Sequence, residues 1–107
     1  MMSGPGVAEG TLTGIGSKFE GSFSNDWDIS VINGKTTPAI PFLVPVATLT
    51  YPCLQAMTGT RKIVSGTIAP AGLILTFDTG VVIAGPLANP PPEPIPVTGG
   101  EAEWRLH

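Results

Sequence analysis

Apolar and polar residues alternate along several short stretches of the chain. In DWDISVINGK, the apolar residues Trp27, Ile29 and Val31 are separated by acidic or polar residues. This alternation is typical of a half-buried β-strand, because successive side chains of a strand point to opposite faces. Asn33-Gly34 follows, a dipeptide favoured in two-residue hairpin turns because both positions adopt positive φ angles. The pattern therefore predicts a strand that ends in a turn at Asn33-Gly34.

A second hairpin is predicted in GLILTFDTGVVIAG. Leu73, Leu75 and Phe77 share one face, and the run Asp78-Thr79-Gly80 has the composition of a turn that leads into a strand over residues 81–84. The closing segment EAEWRLH alternates in the same way. Its apolar face contains Ala102, Trp104 and Leu106, and its polar face contains Glu101, Glu103 and Arg105. It is predicted to be a half-buried strand.

The segment AIPFLVPVATLTY is extended by composition, but Pro41 and Pro45 have no amide hydrogen to donate to a neighbouring strand. It is therefore expected to be an edge strand or an arm. TRKIVSGTI and TLTGIGSKFEGSF are predicted to supply further short strands, the latter bent at its glycines. Helical periodicity is absent apart from at most one turn in PCLQAMTG.

These elements predict an all-β fold, a small sandwich or barrel of short antiparallel strands with a Pro-rich arm. The 14 glycines and 12 prolines separate the strands as turns. Residues 1–107 form one domain, and residues 86–100 form a Pro/Gly-rich extended connection that is expected to act as a stiff spacer. Gly10-Thr11-Leu12 and Gly66-Thr67-Ile68 hint at an internal duplication.

The composition changes the picture of the surface. Charged residues make up 12% of the chain and the mean hydropathy is +0.31, whereas ordinary soluble domains contain about 25% charged residues. Such a chain is expected to expose apolar patches, which usually mark interaction surfaces. The alternative is a small neutral monomer coated in Thr, Ser and Gly.

Several classes of function are disfavoured by charge and cysteine usage. The net charge is −3 and the basic residues are scattered, so no stripe is expected to bind nucleic acid. The lone Cys53 excludes an intrachain disulfide and is expected to be a small buried residue. MMSGPGVAEG lacks the features of a signal peptide, and four prolines interrupt the uncharged residues 36–60, which argues against a membrane helix. A soluble protein made inside the cell is expected.

Candidate catalytic and metal sites are weak. LTFDTGVVIAG resembles the Asp-Thr-Gly motif of aspartic proteases, but the segment after it is too short and too rich in proline for that family's flap and second glycine loop. Asp78 is therefore predicted to be a turn residue, and it is the sole candidate for an enzymatic alternative. His107, the only histidine, lies at the end of the chain, which leaves a Ser or Cys nucleophile without its usual base. Asp26 and Asp28 lack the further ligands of a calcium loop. No catalytic, cofactor or metal site is predicted.

The final third of the chain resembles the end of small bacteriophage tail-tube proteins. The resemblance covers the strand from Leu73, the Asp78-Thr79-Gly80 turn, VVIAGPLAN, a proline-bearing link and GGEAEWRLH. It implies a virion structural protein that is made in the host cytoplasm and contacts copies of itself and other virion proteins. A capsid decoration or cement protein is the alternative within the same class.

The sequence therefore predicts a non-enzymatic structural protein that self-assembles, without cofactor, membrane or sequence-specific nucleic acid binding. Its expected contacts are the apolar segment around residue 43 and the Pro-rich arm, which comprise Phe42, Leu43, Val44, Pro90, Pro91, Pro92, Pro94 and Ile95. The alternative is a small β-barrel module that presents aromatic residues to a ligand or peptide; the candidates are Trp27, Phe42, Tyr51 and Trp104.

Overall fold

The computed structural model describes residues 6–15, 17–24, 29–37, 41–52 and 58–106. Within these ranges the regular elements are all β-strands. Their bounds are β1 Gly6–Ile15, β2 Lys18–Ser24, β3 Ile29–Thr37, β4 Phe42–Tyr51, β5 Gly59–Ala69, β6 Gly72–Phe77, β7 Val82–Gly85, β8 Ile95–Pro96 and β9 Gly99–Leu106. Trp27, the Asp26 and Asp28 pair, Cys53 and His107 lie outside the described residues.

The strands form a closed antiparallel barrel. Hydrogen-bonded neighbours follow the order β6-β7-β4-β1-β2-β3-β9-β5, and β5 pairs with β6 to close the ring of eight strands. The two-residue β8 pairs with the second half of β5, beyond the point where β9 leaves it. Because alternate side chains point inward, one apolar set fills the interior, and it includes Leu12, Phe23, Ile32, Leu49, Ile68, Leu75, Phe77 and Ile83. The all-β prediction is confirmed. Of the two predicted architectures, a sandwich or a barrel, the structure is a barrel.

Two Greek keys build this barrel. Strands β1, β2 and β3 are consecutive neighbours, and β4 returns to lie beside β1, which is the Greek-key order 4-1-2-3. Strands β5, β6 and β7 repeat the arrangement, and β8 and β9 together return beside β5. The keys join where β3 pairs with β9 and where β4 pairs with β7. The chain is therefore folded as two similar halves.

The strand registers define equivalent positions in the two halves. Gly14 lies opposite Phe19 on one side and Phe42 on the other, and Ile68 lies in the same way between Leu73 and Ile95. When the strand pairings are followed from these two positions, several equivalent positions carry the same amino acid in both halves. They are Gly6/Gly59, Thr13/Thr67, Phe23/Phe77, Ile32/Ile83, Gly34/Gly85 and Val44/Val97. The tripeptides that hint at duplication therefore lie on equivalent strands but out of register, because Gly66 is equivalent to Leu12 rather than to Gly10.

Core volume is distributed differently in the two hairpins. Leu12 faces Gly21 in the first hairpin, whereas Gly66 faces Leu75 in the second. In each hairpin the leucine fills the space that its glycine partner leaves. The interior is therefore close-packed in both halves, although equivalent positions carry different side chains. Phe77 and Trp104 complete the second half with an edge-to-face contact at a centroid distance of 5.5 Å.

The predicted turn at Asn33-Gly34 is wrong. Both residues lie inside β3, with Gly34 paired to Phe19 of β2 and to Ala102 of β9. Gly34 does not adopt a positive φ angle; a Cβ atom there would lie 2.4 Å from the carbonyl oxygen of Glu101 and 2.6 Å from the Cβ of Ala102. Glycine is required by the close approach of β9, not by a turn.

The other two local predictions are confirmed. The Phe77 amide donates to the Val81 carbonyl over 2.8 Å, and Gly80 adopts a φ of 88° in the turn between β6 and β7. Leu73, Leu75 and Phe77 are buried as expected. In β9, Ala102 and Trp104 are buried, while the polar residues of the opposite face are exposed. The side chain of Leu106 lies outside the described part of the chain.

Strand β4 is not the predicted edge strand or arm, since it pairs with β1 on one side and β7 on the other. Its register with β1 shifts between Gly10 and Leu12, so that Pro45 and Val46 together lie opposite Thr11. This bulge accommodates a residue that cannot donate to the ladder.

The Pro-rich connection is held to its own barrel at both ends. The amide of Ala88 donates to the carbonyl of Leu43, and the amide of Val97 donates to the carbonyl of Gly66, each over 2.9 Å. Val97 is buried, and Leu87 and Ile95 pack against the core. The part that stays mostly exposed is residues 88–94.

The anchoring of the connection makes a prediction about stability. Val97→Ala is expected to lower the free energy of unfolding by about 1–2 kcal/mol, because it removes buried methyl groups. Val64→Ala removes the same atoms from a side chain that is 59% exposed, and it is expected to change stability by less than about 0.5 kcal/mol. Urea denaturation of both variants measures the difference; equal effects would mean that residue 97 is not part of the core.

Candidate interaction surface

Charged side chains are confined to one part of the barrel wall. They lie on β1, β2, β3, β9 and the start of β5, and comprise Glu9, Lys18, Glu20, Lys35, Arg61, Lys62, Glu101, Glu103 and Arg105. Strands β4, β6, β7, β8 and residues 63–69 of β5 contain no charged residue. The two other charged residues in the described ranges are Asp78, in a turn, and Glu93, in the Pro-rich connection. We call the outward residues of the charge-free strands the uncharged face.

The strands of the uncharged face are neighbours, so its residues form one continuous surface. The order β8-β5-β6-β7-β4 follows from the pairing, and Thr67, Ile74 and Ala84 form one row across its centre. Its exposed large apolar residues are Leu43, Val46, Val64 and Ile74. Val7 and Ile15 of β1 and Ile29 of β3 are also exposed, and Val7 pairs with Thr50 of β4 at the border of the uncharged face. Exposed apolar residues on neighbouring strands, as on the uncharged face, are typical of an interaction surface.

A groove lies within the uncharged face at the end of the β5–β6 hairpin. It has a volume of about 590 Å³ and is lined by Thr67, Ala69, Ala71, Gly72, Leu73, Ile74, Ala84, Gly85 and Pro86. Its floor is low because most of these residues have a methyl group or no side chain. Gly72 cannot be larger without conflict, since its φ is 140° and a Cβ atom there would lie 2.6 Å from the carbonyl oxygen of Gly85. Ile74, which is 51% exposed, rises beside the floor. We call this depression the apolar groove.

The first half of the barrel contains the equivalent depression. A groove of about 320 Å³ is lined by Thr13, Ile15, Lys18, Phe19, Glu20, Asn33 and Gly34. The registers make Lys18 equivalent to Gly72, Glu20 to Ile74, and Asn33 to Ala84. We call it the charged groove. The same position in the fold therefore accepts Lys, Glu and Asn, so the fold does not require apolar residues in the second groove.

The structure divides the predicted assembly contacts into two groups. Phe42 is 7% exposed and Val44 is fully buried, because both point into the barrel, so neither is available to contact another subunit. Leu43 points outward and is exposed. Pro90, Pro92 and Pro94 are exposed, Pro91 is partly exposed, and Ile95 is half-buried against the core. Leu43 and Asn89 line a common depression of about 440 Å³, so the fold does bring the two predicted segments together.

Three of the four aromatic residues of the binding-module alternative lie in the core, and the fourth, Trp27, lies outside the described residues. Phe42, Tyr51 and Trp104 are all buried, so none of them presents its ring to a ligand on the outside. The indole nitrogen of Trp104 is buried without a hydrogen-bond partner. Burial of these three rings removes them as ligand contacts on the outside, and the apolar groove offers a different place for a small ligand.

Asp78 occupies the turn that the sequence predicts. Its side chain is exposed, and its main-chain amide donates to the carbonyl of Lys62 over 2.9 Å. Among the described residues, no three His, Cys, Asp or Glu side chains are grouped as metal ligands would be. The same part of the chain contains no helix with the length and hydropathy needed to cross a membrane.

The apolar groove and Ile74 are the features that sequence reasoning missed. A signal for them is present in Leu73-Ile74-Leu75, which is apolar on both faces of a strand. A strand with one face in the core needs apolar residues on that face only. Ile74, on the second face, is therefore a residue that the core does not account for.

Comparison with known proteins gives no significant match to a protein-family model, a curated protein or a solved structure. The resemblance of the C-terminal third to phage tail-tube proteins therefore stays a prediction.

Proposed function

We propose that this protein is a non-enzymatic structural subunit that self-associates through the uncharged face. The observation that carries the proposal is the contrast between the two equivalent grooves. Glu20 and Asn33 occupy positions in the charged groove where Ile74 and Ala84 stand in the apolar groove. Because the fold accepts a carboxylate and an amide at these positions, the apolar residues of the second half are best explained by a covering partner.

The energetics favour association through this face. Removing charged side chains from water costs several kcal/mol for each ion, whereas Thr, Ala, Val and Ile side chains carry no such penalty. The strands of this face lie about 4.8 Å apart and rise about 3.3 Å per residue, so their 29 residues cover about 460 Å² before side-chain relief is counted. Two such faces would together bury at most about 920 Å², which is the size of a weak or transient contact.

The assembly that we propose is a bacteriophage virion, with the tail tube as the first location and capsid decoration as the alternative. The support is the resemblance of the last third of the chain, from Leu73 onward, to small tail-tube proteins. The subunit would be made in the host cytoplasm and would contact copies of itself and other virion proteins. The exposed prolines at residues 90–94 stand beside the uncharged face and would add a second contact, since extended proline segments lose little entropy on docking.

Light scattering against protein concentration tests the proposal. The mass is expected to rise above the 11.0 kDa of one chain as concentration increases. Raising the salt concentration is expected to leave the association unchanged or to strengthen it, because no charge lies on the face that is buried. A chain that stays monomeric and well dispersed at high concentration would overturn the proposal. Dissociation by salt would contradict a contact through the uncharged face and would indicate one through the charged strands.

A small ligand- or peptide-binding module is the second candidate, and the apolar groove is what favours it. Its volume of about 590 Å³ lies within the range of about 300–1,000 Å³ that is usual for ligand pockets. Two results together would favour this candidate over self-association. The chain would remain monomeric in the scattering experiment, and an apolar probe would bind in the groove and be displaced by a ligand or peptide.

A further inference from the structure

We infer that the apolar groove of one chain receives Ile74 of a second copy, and that the two copies are related by a two-fold axis. The inference rests on the proposed function, since it specifies how the uncharged face contacts itself. Ile74 is a half-exposed apolar side chain that stands directly beside a groove floored by glycine and alanine. A two-fold axis near this point places each Ile74 over the groove of the other copy, so the surface is self-complementary.

The groove is suited to a side chain rather than to an added strand. The three strands that form it are paired on both sides, β6 with β5 and β7, β5 with β6 and β8, and β7 with β6 and β4. Their backbone groups are already hydrogen-bonded along these pairings, which leaves no edge on which a peptide could add a strand. The occupant therefore docks through its side chains, and an aliphatic side chain matches the lining.

A second copy fits the whole face better than a short peptide does. The uncharged face continues beyond the groove across Thr48, Val82 and Val64, which a peptide seated in the groove would leave uncovered. A second uncharged face covers more of these residues than a peptide does, and its own strands introduce no charge. The charged groove is less suited to such a contact, because Lys18 and Glu20 line it and a covering copy would have to remove both ions from water.

Disulfide crosslinking tests the contact, in a Cys53→Ser background that removes the native thiol. The variant Ala69→Cys/Ile74→Cys places one thiol on the groove floor and one on the inserted residue. Within one chain these positions are diagonal neighbours, because Ala69 pairs with Gly72 and Thr67 pairs with Ile74. Diagonal neighbours are about 7–8 Å apart, beyond the reach of an unstrained intrachain disulfide.

Mild oxidation is expected to convert most of the variant into closed dimers, with both links joining residue 69 of one copy to residue 74 of the other by peptide mass spectrometry. The matched control is Ile15→Cys/Glu20→Cys, which places thiols at the equivalent positions of the charged groove and is expected to stay uncrosslinked. A ladder of covalent multimers would show a head-to-tail contact and overturn the two-fold arrangement. Assembly that scattering detects without a 69–74 link would overturn this inference but leave the proposed function intact, whereas absence of assembly would overturn both.

Discussion

Replacing Gly34 with alanine is expected to lower the free energy of unfolding by about 3 kcal/mol, one of the largest effects of adding a single methyl group to this chain. The added Cβ would lie 2.4 Å from the carbonyl oxygen of Glu101, a backbone atom that cannot move without displacing β9. The β3–β9 pairing joins the two halves of the barrel, so its separation weakens the whole fold. Thermal unfolding should show a fall of about 12 °C or more, at roughly 4–8 °C for each kcal/mol.

The control for this prediction is Gly99→Ala. A Cβ atom at Gly99 meets nothing within 4 Å, and its φ angle is not positive, so a change of less than about 0.5 kcal/mol is expected. Gly34→Asn separates the two explanations of Gly34, because asparagine is tolerated in a turn but is larger than alanine in a packed strand. If Gly34→Asn were as stable as the unaltered protein, a turn at this position would be supported and the packing explanation would be wrong.

The all-β fold and two of the hairpin strands follow from the sequence because their signals are local. In GLILTF and EAEWR, side chains alternate between core and solvent, and burial of alternate residues is what makes such strands stable. The error at Asn33-Gly34 has the opposite origin. Turn preference describes two residues in isolation, whereas β2 and β9 lie on both sides of Gly34 and determine its conformation.

Closure of the barrel and the equivalence of its halves could not be read from the sequence. Both depend on pairing between distant segments, such as β4 with β7 and β3 with β9. Equivalent core positions also exchange volumes, as Leu12/Gly21 and Gly66/Leu75 do, so the equivalence of the two halves is not visible as a sequence repeat. Packing constrains the summed volume of facing residues more than the identity of each one.

The position of the uncharged face could not be predicted from the sequence. A low content of charged residues indicates a covered surface, yet only the barrel topology places β4, β7, β6 and the second half of β5 side by side. The sequence predicts Phe42 and Val44 as surface contacts because it predicts an edge strand or an arm here, and an arm has no core face. In the barrel, alternate residues of β4 fill the interior, and Leu43 between them is the one that points outward.

Ile74→Glu is expected to weaken self-association by about 100-fold or more. A two-fold contact would bury two carboxylates without partners, at a cost of several kcal/mol, and each 1.4 kcal/mol corresponds to a factor of ten in the dissociation constant. The barrel is expected to stay folded, because Glu20 occupies the equivalent position in the first half. Ser22→Glu is the matched control, since it adds the same charge at an exposed position on the charged half.

Sedimentation velocity of the unaltered chain, Ile74→Glu and Ser22→Glu at one concentration tests the central claim, that the uncharged face is the assembly surface. Circular dichroism of the same samples verifies that all three retain their strand content. We expect the unaltered chain and Ser22→Glu to sediment as assemblies, and Ile74→Glu to sediment as a monomer of 11.0 kDa. Assemblies of the same size in all three samples would contradict the claim.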